Sequence, residues 1–156
     1  MSIKVTKKKQ VLDFPILAID YGTKRVGLAV SDFHGKLATP VGVISIKKDS
    51  SVKNLIAHLD PYVNQWQIKS FLVGNPSALA NKEVSFKKEL ELLKSALSDH
   101  FGLAVLEYDE SMSTKNAYEL LKDSGQNQKS SKSKIDSLAA TVFLQEFLEN
   151  WAQVKN

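Results

Sequence analysis

Residues 16 to 32, Ile-Leu-Ala-Ile-Asp-Tyr-Gly-Thr-Lys-Arg-Val-Gly-Leu-Ala-Val-Ser-Asp, restrict the fold more than any other stretch of this chain. An apolar run, Ile16 to Ile19, stops on a carboxylate, Asp20. A tight Gly22-Thr23 turn follows, and a second apolar run, Val26 to Val30, heads back. Short apolar runs bounded by turn residues read as strands buried on at least one face. Asp20 therefore falls where a central strand leaves a sheet. A negative charge there is costly unless a cation, a metal or hydrogen-bond donors meet it.

The pattern continues along the chain. Strands are expected at 16–20, 25–31 and 37–46, and short connections around Gly22 and Gly35 make them an antiparallel meander. Thr39-Pro40 suits an edge or a strand start. A helical period starts near Ser51 (Val52, Leu55, Ile56, Leu59, Val63, Trp66), with Pro61 placed to bend or break it early. Phe71-Leu72-Val73 forms a short buried strand within 70–74. A second helix spans about 82–101, with Phe86, Leu90, Leu93 and Leu97 on its core face and Gly102 as its stop. A fifth strand covers 103–108. A third helix opens on Ser113 as its cap and closes at Gly125. Residues 126–134, all Gln, Asn, Ser and Lys with no apolar anchor, read as a flexible loop and a substrate clamp. A last helix runs from about Ser133 to Trp151.

This is an α/β chain: a five-stranded mixed sheet, three meander strands plus two parallel ones, flanked by helices. Residues 1–11 are expected as a flexible basic arm, 12–151 as one domain and 152–156 as a tail. With 156 residues the chain can bury a proper core. It has no cysteine, which excludes disulfides and thiolate zinc sites. No stretch approaches the ~20 apolar residues of a membrane span, and the lysine-rich start lacks the apolar core of a signal peptide. A soluble, cytoplasmic protein that avoids membranes is expected. The net charge of +4 is mild, but the lysines cluster, and a surface of that kind permits nucleic-acid binding. Arg25 is the only arginine, and a guanidinium offers phosphate a planar fork.

Two further acidic positions stand where a core should be. Asp109-Glu110 follows an apolar strand. Asp136 shares a helix face with Ala139, Ala140, Phe143 and Phe147, at offsets of three, four, seven and eleven. Each acid alone has a bland explanation as a turn former or a helix-dipole partner. Together, acids from non-adjacent elements at one end of a sheet invite a divalent cation, because like charges repel. Oxygen donors without His or Cys point to Mg²⁺ or Mn²⁺, and acid-only metal sites on basic proteins activate water against phosphodiesters. His34, His58 and His100 are scattered and read as structural or surface residues.

The pattern Ala18-Ile19-Asp20-Tyr21-Gly22-Thr23-Lys24-Arg25-Val26-Gly27, then Val73-Gly74-Asn75-Pro76, Asp109-Glu110-Ser111-Met112-Ser113-Thr114 and Ile135-Asp136-Ser137-Leu138-Ala139-Ala140, resembles the YqgF family over about residues 15–149. The resemblance implies an RNase H-like fold and a metal-dependent nuclease, described either as a Holliday junction resolvase or as a nuclease for the 5′ end of precursor 16S rRNA. It implies Asp20, Glu110 and Asp136 as the metal-binding catalytic acids, with Asp109 as the alternate for the middle place. Thr23, Lys24, Arg25, Asn75, Ser113, Thr114, Lys132 and Lys134 are the expected substrate contacts. Two departures bear on substrate grip. Asn75 stands in a Gly-Leu-Pro motif, without the Met-Asp-Gly that normally follows, and Ser111 replaces an arginine.

An Asp-x-Gly-Thr hairpin also opens the phosphate loop of actin-like ATPases and sugar kinases. Those close two such domains around ATP, and this chain holds one copy. A catalytically silent RNA-binding module has no need of three converging acids. Junction resolution needs two symmetric cuts and hence a two-fold dimer, whereas trimming a precursor needs one. No long apolar patch advertises a dimer interface. A monomer or weak homodimer that processes pre-16S rRNA, in contact with ribosomal particles, is therefore placed ahead of a resolvase acting on branched DNA.

Overall fold

The computed structural model describes residues 3–5, 12–22, 24–46, 52–75, 84–109 and 128–155. Its elements are β1 (Ile3–Val5), β2 (Ile16–Tyr21), β3 (Arg25–Ser31), β4 (Ala38–Ser45), α1 (Val52–Trp66), β5 (Ser70–Asn75), α2 (Val84–Phe101), β6 (Ala104–Asp109) and α3 (Gln128–Lys155). They form one sheet in the order β1-β6-β5-β2-β3-β4. The β2-β3-β4 meander is antiparallel, while β5 and β6 run parallel to β2. The five expected strands are all present.

Alternation of side chains divides the core in two. Leu17, Ile19, Val26, Leu28, Phe71, Val73 and Val105 pack under α1 and α2. Ile16, Ala18, Ala29, Leu72, Leu106 and Tyr108 pack under α3, against Ala140, Phe143, Leu144, Phe147 and Leu148. Both faces of the central strands are covered, which explains why their sequences are continuously apolar rather than alternating.

The hairpin joining β2 and β3 closes through Gly22, whose N–H donates to the Arg25 carbonyl at 3.0 Å. A Cβ at position 22 would lie 2.7 Å from that same oxygen. Gly22→Ala must therefore push the turn open, and a loss of about 1–3 kcal/mol is expected. Urea unfolding would register it as a lower midpoint at unchanged slope. β4 is the edge strand, where a proline is tolerated. A register shift between Leu28 and Ala29, which face Gly42 and Pro40, leaves Val41 as the extra residue of a bulge.

Several expectations need correction. The sequence predicts a mobile arm over 1–11. Instead Ile3–Val5 pairs antiparallel with β6, covering an edge that would otherwise lie open. Pro61 does not end α1, which continues to Trp66. Tyr62 and Val63, beyond the proline, pack onto the core and compensate for the lost backbone bond. α1 closes instead at Gln67, in the left-handed region with φ 51°, where the Ile68 N–H donates to the Val63 carbonyl at 3.0 Å. Gly102, with φ 67°, stops α2 as expected.

The flexible loop expected at 126–134 is helical from Gln128, and α3 also runs past Trp151 to Lys155. Gln and Lys are good helix formers, and extending an existing helix avoids the cost of nucleation. The helix expected over 113–125 lies outside the described residues.

Candidate active site

The three parallel strands β2, β5 and β6 finish at one end of the sheet. Ile19 lies opposite Val73, and Val73 opposite Glu107. Asp20 is one step beyond that row, and the Asn75–Asp109 pair is two steps beyond it. Asp20 keeps the parity of Ile16 and Ala18, the β2 residues in the α3-side cluster. Its side chain is half-buried. Its cross-strand partner is Gly27, and Arg25, two residues from Gly27 on the same face, is its diagonal neighbour. A carboxylate and a guanidinium thus share the α3 side of one hairpin. Lys24 is exposed beside them, and its carbonyl accepts the Ile46 N–H at 2.8 Å, extending the β3–β4 ladder.

α3 reaches this end through Ser137, which is buried and donates its hydroxyl to the Leu28 carbonyl at 3.3 Å. Leu28 pairs with Ile19, the residue before Asp20. Ala139 and Ala140, both buried, supply the small surface that lets α3 approach closely. Position 136 immediately precedes Ser137 in the helix, four residues before Ala140 and seven before Phe143. Nothing in the sequence singles out Ser137 as the anchor. Its only signal is its place next to an acid at the start of an apolar helix face.

The other expected site residues distribute as follows. Asn75 and Asp109 end β5 and β6 side by side. Lys132, Lys134 and Asp136 belong to α3. Thr23, Glu110, Ser113 and Thr114, together with Ser111, lie outside the described residues. Among the described residues no three acidic or imidazole groups gather in one place; of the three expected acids, only Asp20 has a described side chain.

The opposite face of the sheet carries polar groups near the same end. The Tyr21 hydroxyl donates to the Glu89 carboxylate of α2 at 3.3 Å. Burial, then the charge of Glu89 and that hydrogen bond, push the Tyr21 pKa up to about 12, so the phenol stays protonated and remains a donor. Lys94 of α2 is almost wholly buried and pairs with Glu107 of β6 and Glu91. Burial works against its charge, but the bonds to Glu107 and Glu91 outweigh it and hold its pKa above the ordinary lysine value.

A mixed sheet with its antiparallel meander first, parallel strands beyond, and helices on both faces is the RNase H-like arrangement, and solved structures agree. T. thermophilus RuvC in complex with a Holliday junction substrate superposes with a TM-score of 0.60, at 14% identity over 90% of this chain and 96% of that one. A second Thermus thermophilus RuvC structure gives 0.57, at 16% identity over 91% and 97%. The model of the RuvX family, described as Holliday junction resolvase, matches residues 15–150, and the chain belongs to that family, also called YqgF. Relatives named "Putative pre-16S rRNA nuclease" are similar over nearly their full length. That of Leifsonia xyli subsp. xyli (strain CTCB07) is 35% identical over 85% of this chain and 84% of its own. That of Lactococcus lactis subsp. lactis (strain IL1403) is 34% identical over 86% and 93%. That of Lachnospira eligens is 30% identical over 86% and 96%.

Proposed function

We propose that this protein is a divalent-metal-dependent endonuclease that hydrolyses phosphodiesters in structured RNA, trimming the 5′ end of precursor 16S rRNA in the cytoplasm. The observation that carries the reading is the meeting of Asp20, at the carboxyl end of β2, with the Ser137-anchored start of the packed part of α3. On this reading position 136, the residue before Ser137 in α3, belongs to the same end of the sheet. The full-length relatives and their shared name support the substrate.

The donor chemistry fits Mg²⁺ or Mn²⁺. Asp20 is a half-buried oxygen donor, and the chain has no cysteine to favour a softer ion. Asp20, Glu110 and Asp136 would hold the metal, which when bound activates water and stabilises the leaving oxygen. Glu110 is preferred to Asp109 because the family pattern assigns the middle place to the second acid of the pair. Arg25 and Lys24 grip phosphate beside Asp20, with Thr23, Asn75, Ser113, Thr114, Lys132 and Lys134 as further contacts on the substrate. No described helix is long and apolar enough to cross a membrane, and precursor ribosomal particles are the partner that this substrate implies.

Purified protein with Mg²⁺ or Mn²⁺ should cut a precursor RNA spanning the 5′ end of 16S rRNA. Failure to cut either this RNA or a four-way DNA junction would overturn the nuclease reading. Symmetric cutting of the junction with the RNA left intact would replace it with the resolvase reading, which the RuvC-like fold and the family description favour. Arg25→Ala should weaken RNA binding by roughly 10- to 100-fold, the range for a charged hydrogen bond to phosphate. The salt dependence of binding should flatten by about one counterion, while Mn²⁺ affinity stays near wild type. Parallel loss of both affinities would remove Arg25 from the substrate and assign it to the metal site.

A further inference from the structure

On the sheet face away from α3, α2 touches both strands that lead into the proposed acids. Tyr21, the residue after Asp20, is held by Glu89 and packs against Phe86 with ring centroids 5.6 Å apart and planes inclined by 42°. Glu107, three residues before Glu110, is held by Lys94. Glu89 follows Phe86 by three residues and Lys94 follows it by eight, so Phe86 lies between the other two around the helix and all three share one broad side of α2. Glu107 is in register with Val73, and Val73 with Ile19, so the Tyr21 contact lies two residues beyond the level of the Glu107 contact, nearer the strand ends.

Lys94 is 7% exposed, and burying an ammonium is expensive even when it is paired. An apolar pair of similar volume would hold α2 to β6 as well or better. What such a pair lacks is direction, because methyl groups slide over one another whereas a charged hydrogen bond fixes a distance and an angle. That difference matters most where a strand end must present a carboxylate in one position.

We infer that α2 is the positioning element of the site: Tyr21 sets the height of Asp20, and Lys94, through Glu107, fixes the end of β6. The two are positioning residues acting through their strands, and the inference rests on the metal-site reading proposed above. Supporting groups of this kind typically change metal affinity or activity by about 10- to 100-fold.

Mn²⁺ titration, thermal unfolding and steady-state cleavage of precursor RNA together test it, with Asp20→Asn as the reference variant. Tyr21→Phe keeps the ring and removes only the donor. It should bind Mn²⁺ about tenfold more weakly and lose kcat to a similar extent. KM for RNA should hold, and Tm should stay within a few degrees of wild type. The double variant Lys94→Met, Glu107→Leu should keep or raise Tm and still lose Mn²⁺ affinity and kcat, while the single variant Lys94→Arg, with Glu107 intact, retains most of both. If Tyr21→Phe and the double variant bind Mn²⁺ and turn over like wild type while Asp20→Asn has lost both, the positioning role is wrong. If Asp20→Asn itself keeps full Mn²⁺ affinity, the metal-site reading beneath it falls instead.

Discussion

Asp20→Asn should abolish cleavage, with a loss on the order of 10³-fold or more, and leave the stability of the protein close to wild type. The two halves of this result come from the same placement. Asp20 follows Ile16 to Ile19, all fully buried in β2, yet its own carboxylate is half-exposed at the rim of the α3 face. An amide of the same shape fits there without a cavity. It also removes a negative charge from an end of the sheet where Asp109 terminates β6 and position 136 lies beside Ser137. Relief of like-charge repulsion is set against the lost attraction to Arg25 on the same face, so the net change is small. The catalytic loss is large because a metal's stabilisation of developing charge amounts to several kcal/mol, and each 1.36 kcal/mol is a factor of ten in rate. Single-turnover cleavage with excess enzyme, run beside a thermal melt, separates the two. Retained cleavage at near wild-type rate would remove Asp20 from the site, and a collapsed Tm would mean that the carboxylate is structural.

How much of this was legible beforehand depends on whether the signal was local. The hairpin was: an apolar run, a carboxylate, a glycine turn and a returning run are neighbours in sequence, and the strand predicted over 25–31 has the bounds observed for β3. The apolar period of α3 likewise places Ala140, Phe143 and Phe147 in the core. The starts and ends of elements were less legible. The extension of α3 back to Gln128 carries no apolar marker, and propensity alone does not distinguish a polar helix turn from a loop. Pro61 was a true breaker signal outvoted by tertiary packing through Tyr62 and Val63. β1 depends on a partner about a hundred residues away, which no local pattern announces. The same holds for the contacts that support the site. Ser137 with Leu28, Tyr21 with Glu89, and Lys94 with Glu107 join distant elements through residue types that are ordinary on a surface.

Phe143→Ala should be the most destabilising of the substitutions proposed, with a loss of about 3–5 kcal/mol. Phe143 is fully buried at the centre of the α3 interface and stacks on Tyr108 of β6 with centroids 5.8 Å apart and planes inclined by 22°. Its neighbours are the rigid faces of Ile16, Ala18, Leu72 and Leu106 on central strands, which cannot close around the vacated ring. Part of the loss comes from the aromatic contact itself, about 0.5–1.5 kcal/mol beyond area burial. Against a total stability of about 5–15 kcal/mol, this brings a domain of this size close to unfolding at physiological temperature. Tm should drop by roughly 10 °C, at the 2–4 °C per kcal/mol usual for such a length. Because position 136 lies two helical turns before Phe143, activity should fall with the docking of α3 and return on cooling, unlike the loss in Asp20→Asn. Leu92→Ala, on the outer face of α2 where the side chain is 60% exposed, should stay within about 0.5 kcal/mol of wild type in the same urea titration. A Phe143→Ala protein that loses less than about 1 kcal/mol would mean that α3 is not seated on the sheet through this ring.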